Sequence, residues 1–214
     1  MKAVVKQVEF PAGRRILVIS DIHGNLPWLQ ALLAKAGFSR EDILVLVGDL
    51  VEKGRDSLAT LRYIMELSAT HTVYALCGNC DNLAVDFIYG NGELGRDFYR
   101  FYLSVWGERA LILQMAAEAG MEVRGPGDLP GLRMLLLERF RSELEFLRSL
   151  PTILESEHLV FVHGGVPSYA HMEELDAWQC MKNDDFLGQG RVFPKYCVVG
   201  HWPVAPVSYT HLTL

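Results

Sequence analysis

Five short polar clusters carry the residues best suited to chemistry. In order they are Asp21-Ile22-His23-Gly24-Asn25, Gly48-Asp49, Gly78-Asn79-Cys80-Asp81, His163-Gly164-Gly165 and Gly200-His201. Together they offer two carboxylates (Asp21, Asp49), an amide oxygen (Asn79) and three imidazoles (His23, His163, His201). Such donors suit Mn2+, Fe or Zn2+ better than metals that demand thiolate, and the set is large enough to hold two divalent ions side by side. Two cations roughly 3.5–4 Å apart clamp the attacking and departing oxygens of an in-line displacement, and they lower the pKa of water between them. A metal-assisted hydrolase is the leading reading.

The elements that must position these residues are legible around them. Arg14 to Ser20, Ile43 to Val47, Thr72 to Cys77, Leu159 to Val162 and Tyr196 to Val199 are apolar, β-prone runs, and each ends at one of the clusters. A further short strand is expected over Ala3 to Phe10, joined to the next by Pro11-Ala12-Gly13. Helices are expected over Leu26 to Ala36, stopped by Gly37, and over Asp56 to Leu67. This strand-loop-helix rhythm with continuous apolar strands indicates an α/β layered domain with parallel pairing. In such sheets the site forms outside the carboxyl ends of the strands, where all the clusters fall. The middle, about residues 86–150, carries none of the clusters and reads as a helical insert. Within it Leu132 to Leu150 has the period of a single amphipathic helix, with Met134, Leu135, Leu137, Phe140, Leu144, Phe146 and Leu147 toward the core.

Bulk properties narrow the classes. A chain of 214 residues, half of them hydrophobic, suits one large domain. A net charge of −6 gives nucleic acid no electrostatic support, so no such partner is expected. No apolar run reaches the roughly 18–20 residues of a membrane span, and the charged N-terminus lacks a secretory core. A cytoplasmic location is the resulting expectation. Cys77 and Cys80 have the two-residue gap of redox and zinc motifs, but Cys77 ends a strand and reads as a small buried hydrophobe. His71, His158 and His171 fall outside the clusters and read as ordinary polar positions. Glu173, Glu174, Asp176, Asp184 and Asp185 follow no strand and read as a solvated acidic loop.

The order SDIHGN (Ser20 to Asn25), GDLVEKG (Gly48 to Gly54), GNCD (Gly78 to Asp81), VHGG (Val162 to Gly165) and VGHWP (Val199 to Pro203) resembles the calcineurin-like metallophosphoesterase superfamily. The resemblance covers nearly the whole chain to Pro203. It implies a four-layer α-β-β-α sandwich and hydrolysis of a phosphoric ester by a metal-bridged hydroxide. It assigns Asp21 and His23 to a first metal, Asp49 to a bridge, and Asn79, His163 and His201 to a second, with Mn2+ first and Fe or Zn2+ as alternatives. Many members carry a second His in a Gly-His-x-His motif; here Trp202 and Pro203 follow His201. That departure, with Asn25, Gly54 and His163-Gly164-Gly165, is similar to the bacterial serine/threonine protein phosphatase and diadenosine-tetraphosphatase branch.

Three positions depart from that branch. Lys53 stands where an Arg grips phosphate, after Glu52 in place of Asp, so the charge is kept and the bidentate fork is lost. Cys80 replaces a His that protonates the leaving oxygen, as it does in some bacterial phosphodiesterases of the superfamily. Asp81 is an alternative proton donor, and Asn25 is either a phosphate contact or a helix cap. The substrate implied is a phosphorylated protein, with a nucleotide or dinucleoside polyphosphate as the second class. A non-catalytic metal-binding scaffold is the reading from another class. Oligomeric state is not encoded. The last residues, Val207 to Leu214, read as the translation of a sequencing-library adapter rather than an alternating native strand; on that reading the native protein continues beyond Pro206, the sandwich is truncated at its C-terminal end, and His211 is excluded from any site.

Overall fold

Ile43–Leu46 is apolar at every position, and the computed structural model shows why: it lies between two cores. Ile43 and Val45 face a second sheet, against Leu154 and Phe161, while Leu44 and Leu46 face helices through Leu33, Leu61 and Ile64. Successive strand side chains point to opposite faces, so a strand buried on both sides cannot alternate with polar residues. The structure describes residues 1–90, 95–189 and 193–203. The 206 boundary and the 207–214 tail with His211 lie outside them.

Two sheets stack face to face. One is parallel, with β2 (Ile16–Ile19), β3 (Ile43–Leu46) and β4 (Thr72–Ala75) in the order β2-β3-β4. The other is mixed, in the order β1-β5-β6-β7, with β1 (Val5–Gln7), β5 (Ile153–Glu155), β6 (Leu159–Val162) and β7 (Tyr196–Val199). There β5 and β6 pair antiparallel, whereas β1–β5 and β6–β7 are parallel. The Pro11-Ala12-Gly13 turn therefore carries the chain between sheets. The strand β5 was not visible in sequence, because three residues between Pro151 and a polar turn give no period to read. Full burial of side chains such as Phe161 and Ile43 between the sheets contributes about 1.5–3 kcal/mol each.

Helices cover the parallel sheet. α1 (Leu26–Ala36) buries Leu29 and Leu33 and stops at Gly37, whose left-handed φ of 59° closes the helix with amide bonds back to its last turn. α2 (Ser57–Thr70) buries Leu58, Leu61, Ile64 and Leu67. The middle of the chain supplies α3 (Asp81–Tyr89), α4 (Gly95–Trp106), α5 (Leu111–Glu118), α6 (Leu129–Arg139) and α7 (Arg141–Ser149). The expected single helix over Leu132 to Leu150 is broken at Phe140, at φ −124° and ψ 31°. The break rotates the apolar stripe, leaving Met134 73% and Leu137 37% exposed while Phe140, Leu144 and Leu147 are buried. On the far face, α8 (Ala177–Met181) packs Cys180 against Val160 and Val162 of the mixed sheet. Among the described residues no helix is long and apolar enough to cross a membrane.

Two polar contacts fasten the helical middle to the sheet loops. Arg62 of α2 donates to Glu143 of α7 and, with two nitrogens, to Glu118 of α5, all at 2.8 Å. Glu52, fully buried, accepts from Tyr102 Oη of α4 at 2.5 Å and from the Leu111 amide at the start of α5 at 3.0 Å. Burial raises the Glu52 carboxyl from 4.5 to about 8, against the lowering effect of those two donors. Between these values the folded chain holds a proton that the unfolded chain has released, so stability falls as pH rises. In metal-free protein the thermal midpoint should decline from pH 5 toward 8, by an amount worth on the order of a few kcal/mol. Glu52→Gln should flatten that slope; an unchanged slope in calorimetry would assign it to other groups.

Candidate metal centre

The loops after β2 and β3 continue their pairing beyond the strands. The amides of Asp21, His23 and Gly24 donate to the carbonyls of Gly48, Asp49 and Leu50 at 3.1, 2.9 and 2.9 Å. Asp21, His23, Asp49 and His201 all sit at left-handed φ of 49–65°, as do Glu52 and Lys53 at 72° and 62°. Non-glycine residues pay of order 1–3 kcal/mol for such conformations, which persist where surrounding structure over-determines them and cluster at functional sites. Close backbone approach adds a second constraint. A Cβ on Gly78 would meet Asp49 N at 2.2 Å and its Oδ1 at 2.3 Å, so only glycine lets the β4 loop reach that carboxylate.

Asp49 is the centre of the arrangement. It is 1% exposed. His163 Nε2 lies 3.3 Å from one of its oxygens and His23 Nε2 lies 3.5 Å from the other, while the Cys80 amide donates to Oδ1 at 2.8 Å. Burial works to raise the carboxyl, but His163, the Cys80 amide and His23 hold it well below the usual carboxylate range. It is therefore ionised. Asp49, His163 and His201 bring one donor atom each within 4.8 Å of one another, and so do His23, Asp49 and Cys80. Asp21 Oδ1 lies 3.8 Å from His23 Nε2, and its Oδ2 accepts from Ser20 Oγ at 2.6 Å and the His201 amide at 3.0 Å.

Several groups are poised for a cation. His163 Nδ1 donates to the Val47 carbonyl at 2.8 Å, which fixes the ring and turns Nε2 toward Asp49. The carboxamide oxygen of Asn79 is buried without a hydrogen-bond partner among the described residues, a costly state unless a further group satisfies it, and His163 Nε2 has only the Asp49 carboxylate, at 3.3 Å. The Lys53 ammonium stands 3.0 Å from His23 Nε2, so a positive charge already sits beside this donor. Burial, chiefly, lowers the His23 pKa, leaving the imidazole neutral with a lone pair to offer. The donor set fits divalent ions.

Other residues depart from their sequence readings. Asp81 is fully buried, and its two oxygens accept from the Gly78, Leu50 and Val51 amides at 2.8, 2.8 and 3.1 Å. It laces the β3 and β4 loops together with none of its surface exposed, and burial, followed by the Asp49 charge, raises its carboxyl to about 7. Cys80 is 2% exposed, and burial followed by the Asp49 charge pushes its thiol far up, so it is a poor acid. Asn25 stands at the N-cap of α1 without capping it; its amide donates to the Ile22 and His23 carbonyls at 3.1 and 3.2 Å and braces the first loop. Cys77 is buried in the helical core and His71 stacks on Phe38, as ordinary positions should.

Residues that sequence reasoning passed over also reach the site. Asp184 is not merely part of a solvated loop: it accepts from His201 Nε2 at 3.0 Å and from Lys182. Asp176 of the same stretch caps α8 through the Gln179 amide. Trp106 of α4 lies under Lys53 at 5.8 Å. Neither Asp184 nor Trp106 follows a strand, so nothing local marks them.

Residues 14–205 match the calcineurin-like phosphoesterase family. The chain belongs to that family. That family uses divalent metal ions, which the donors gathered here fit. It is 30% identical over 178 residues to the symmetrical bis(5'-nucleosyl)-tetraphosphatase of Shewanella oneidensis, covering 79% of this chain and 53% of the relative. The Hamiltonella defensa protein of the same name is 27% identical over 188 residues, covering 86% and 55%. Serine/threonine-protein phosphatase 1 of Salmonella typhimurium is 34% identical over 84 residues, 39% of this chain and 37% of the relative. The chain thus spans about half the length of the tetraphosphatases it matches. A crystal structure of a diadenosine tetraphosphatase candidate shares the fold, with a TM-score of 0.52 at 22% identity over 81% of this chain and 60% of the other.

The Asp81 lattice gives a direct test. Asp81→Ala leaves three buried amides without an acceptor and should cost about 3 kcal/mol or more in chemical denaturation. A loss below 1 kcal/mol would mean that water or another group takes over this role.

Proposed function

We propose that this phosphoesterase hydrolyses the phosphoric anhydride of a nucleotide or dinucleoside polyphosphate, with two divalent cations held by Asp21, His23, Asp49, Asn79, His163 and His201. Mn2+ is the first candidate and Fe or Zn2+ the alternatives. When bound, the cations would supply Lewis acidity at the phosphoryl oxygens and lower the pKa of water. The chain's own residues do the rest. Ionised Asp49 contributes the buried negative charge between the two cation positions. His163, turned by the Val47 carbonyl, offers Nε2. Lys53, at the open edge beside His23, meets a phosphate as a point charge.

The observation that carries the substrate class is the thiol at position 80. A phosphoserine must expel a strongly basic alkoxide, which calls for a proton in the transition state, and general acids contribute roughly 10²–10⁴-fold there. Cys80 is buried with its pKa pushed up, and Asp81 is sealed among backbone amides. A polyphosphate leaves as a weakly basic anion and needs little such help. The names of the relatives spanning most of the chain support this order. The phosphoprotein reading keeps one support, the Salmonella phosphatase that matches over 84 residues.

Diadenosine tetraphosphate should accordingly be turned over with a higher kcat/KM than a phosphoserine peptide, and para-nitrophenyl phosphate more readily than alkyl phosphates. In metal-saturated enzyme, Cys80→His should raise the ratio of kcat on the phosphopeptide to kcat on the polyphosphate by about tenfold or more. Equal gains on both substrates, or none, would remove the leaving-group argument. Asp49→Asn should abolish metal-dependent turnover; if the wild-type chain binds metal yet hydrolyses nothing in such a panel, the scaffold reading takes its place.

A further inference from the structure

We propose that Cys80 Sγ is itself a metal ligand, joining His23 and Asp49 around one cation and biasing that position toward zinc or ferrous iron over manganese. The inference rests on the reading of this site as a metal centre and goes beyond it, since the six donors assigned above include no sulfur. Donor atoms of His23, Asp49 and Cys80 lie within 4.8 Å of one another. That is close to the span one ion bridges at donor distances of roughly 2.0–2.3 Å.

The sulfur is held in place from several directions. The Cys80 amide is tied to Asp49 Oδ1 at 2.8 Å, and the residue directly precedes α3. Asn79 Nδ2 donates to Sγ at 3.4 Å, so the sulfur already acts as an acceptor. The same amide turns its oxygen to a buried position without a hydrogen-bond partner among the described residues, and His163 Nε2 stands on the other side of Asp49. These atoms belong to the neighbouring position of Asp49, His163 and His201, which shares Asp49 with the Cys80 trio. Cys77, three residues earlier, lies in the helical core and has no part in the trio.

On binding, the S–H bond breaks, the sulfur–metal bond forms and the proton passes to solvent, so uptake releases one proton from Cys80. A thiolate beside an imidazole and a carboxylate selects borderline metals, while oxygen-rich sites suit Mn2+ and Mg2+. As a ligand, Cys80 would also be unavailable as an acid.

Cobalt provides the readout without turnover. Metal-free protein titrated with Co2+ should develop a near-ultraviolet thiolate-to-cobalt charge-transfer band. The band should persist in Cys77→Ala and vanish in Cys80→Ser, and zinc affinity in chelator competition should fall at least about tenfold in the latter. Zinc-edge X-ray absorption on the zinc-loaded wild type needs no variant and should show a sulfur near 2.3 Å. Stoichiometric cobalt binding with no charge-transfer band, or zinc with nitrogen and oxygen neighbours alone, overturns the thiolate ligand and leaves the metal centre standing. Failure to bind either metal overturns both.

Discussion

A carboxylate at 1% exposure must be compensated, and around Asp49 that requirement organises the molecule. An isolated buried charge costs several kcal/mol even after relaxation. Here His163 arrives from the end of β6, His23 from the loop after β2, and the Cys80 amide from the loop after β4. Each approach is possible only because the strands of two sheets end in one crevice. The left-handed backbone at Asp21, His23, Asp49 and His201 is the cost of turning the chain sharply enough to aim them inward.

Three buried carboxylates lie along this region, and their surroundings divide the work. Asp49 is flanked by imidazoles and stays ionised. Asp81 accepts three backbone amides and fixes one loop against the next. Glu52 has a phenol and one amide, too little to offset burial, so its carboxyl rises to about 8 and joins the helical middle to the loop after β3. Its neighbour Lys53 is thereby held over Trp106 and beside His23. The departures at Glu52, Lys53 and Cys80 thus belong to one altered corner rather than three separate losses.

Helix boundaries set by strong local chemistry were legible. Gly37 closes α1 where the sequence places its stop, and β6 and β7 span the expected residues. The break at Phe140 was not, because an apolar period continues through it; in the fold α6 packs on α3 and α5 and α7 on α3 and α2. β5 is too short to carry a period, and its antiparallel pairing with β6 makes the second sheet mixed where parallel strands were expected.

Residue types and their order along the chain picked out the candidate donors, since each cluster follows an apolar run and strand ends are where such sheets gather ligands. Distances, burial and partners were decided only in three dimensions. Asp81 and Asp49 are the same residue type in loops that each follow a parallel strand, yet one is surrounded by amides and the other is flanked by imidazoles. The reach of Asp184 to His201, and the seat of the Cys80 sulfur beside His23 and Asp49, depend on loops from both sheets meeting. No local pattern encodes those meetings, because electrostatic and steric environment is a property of neighbours in space.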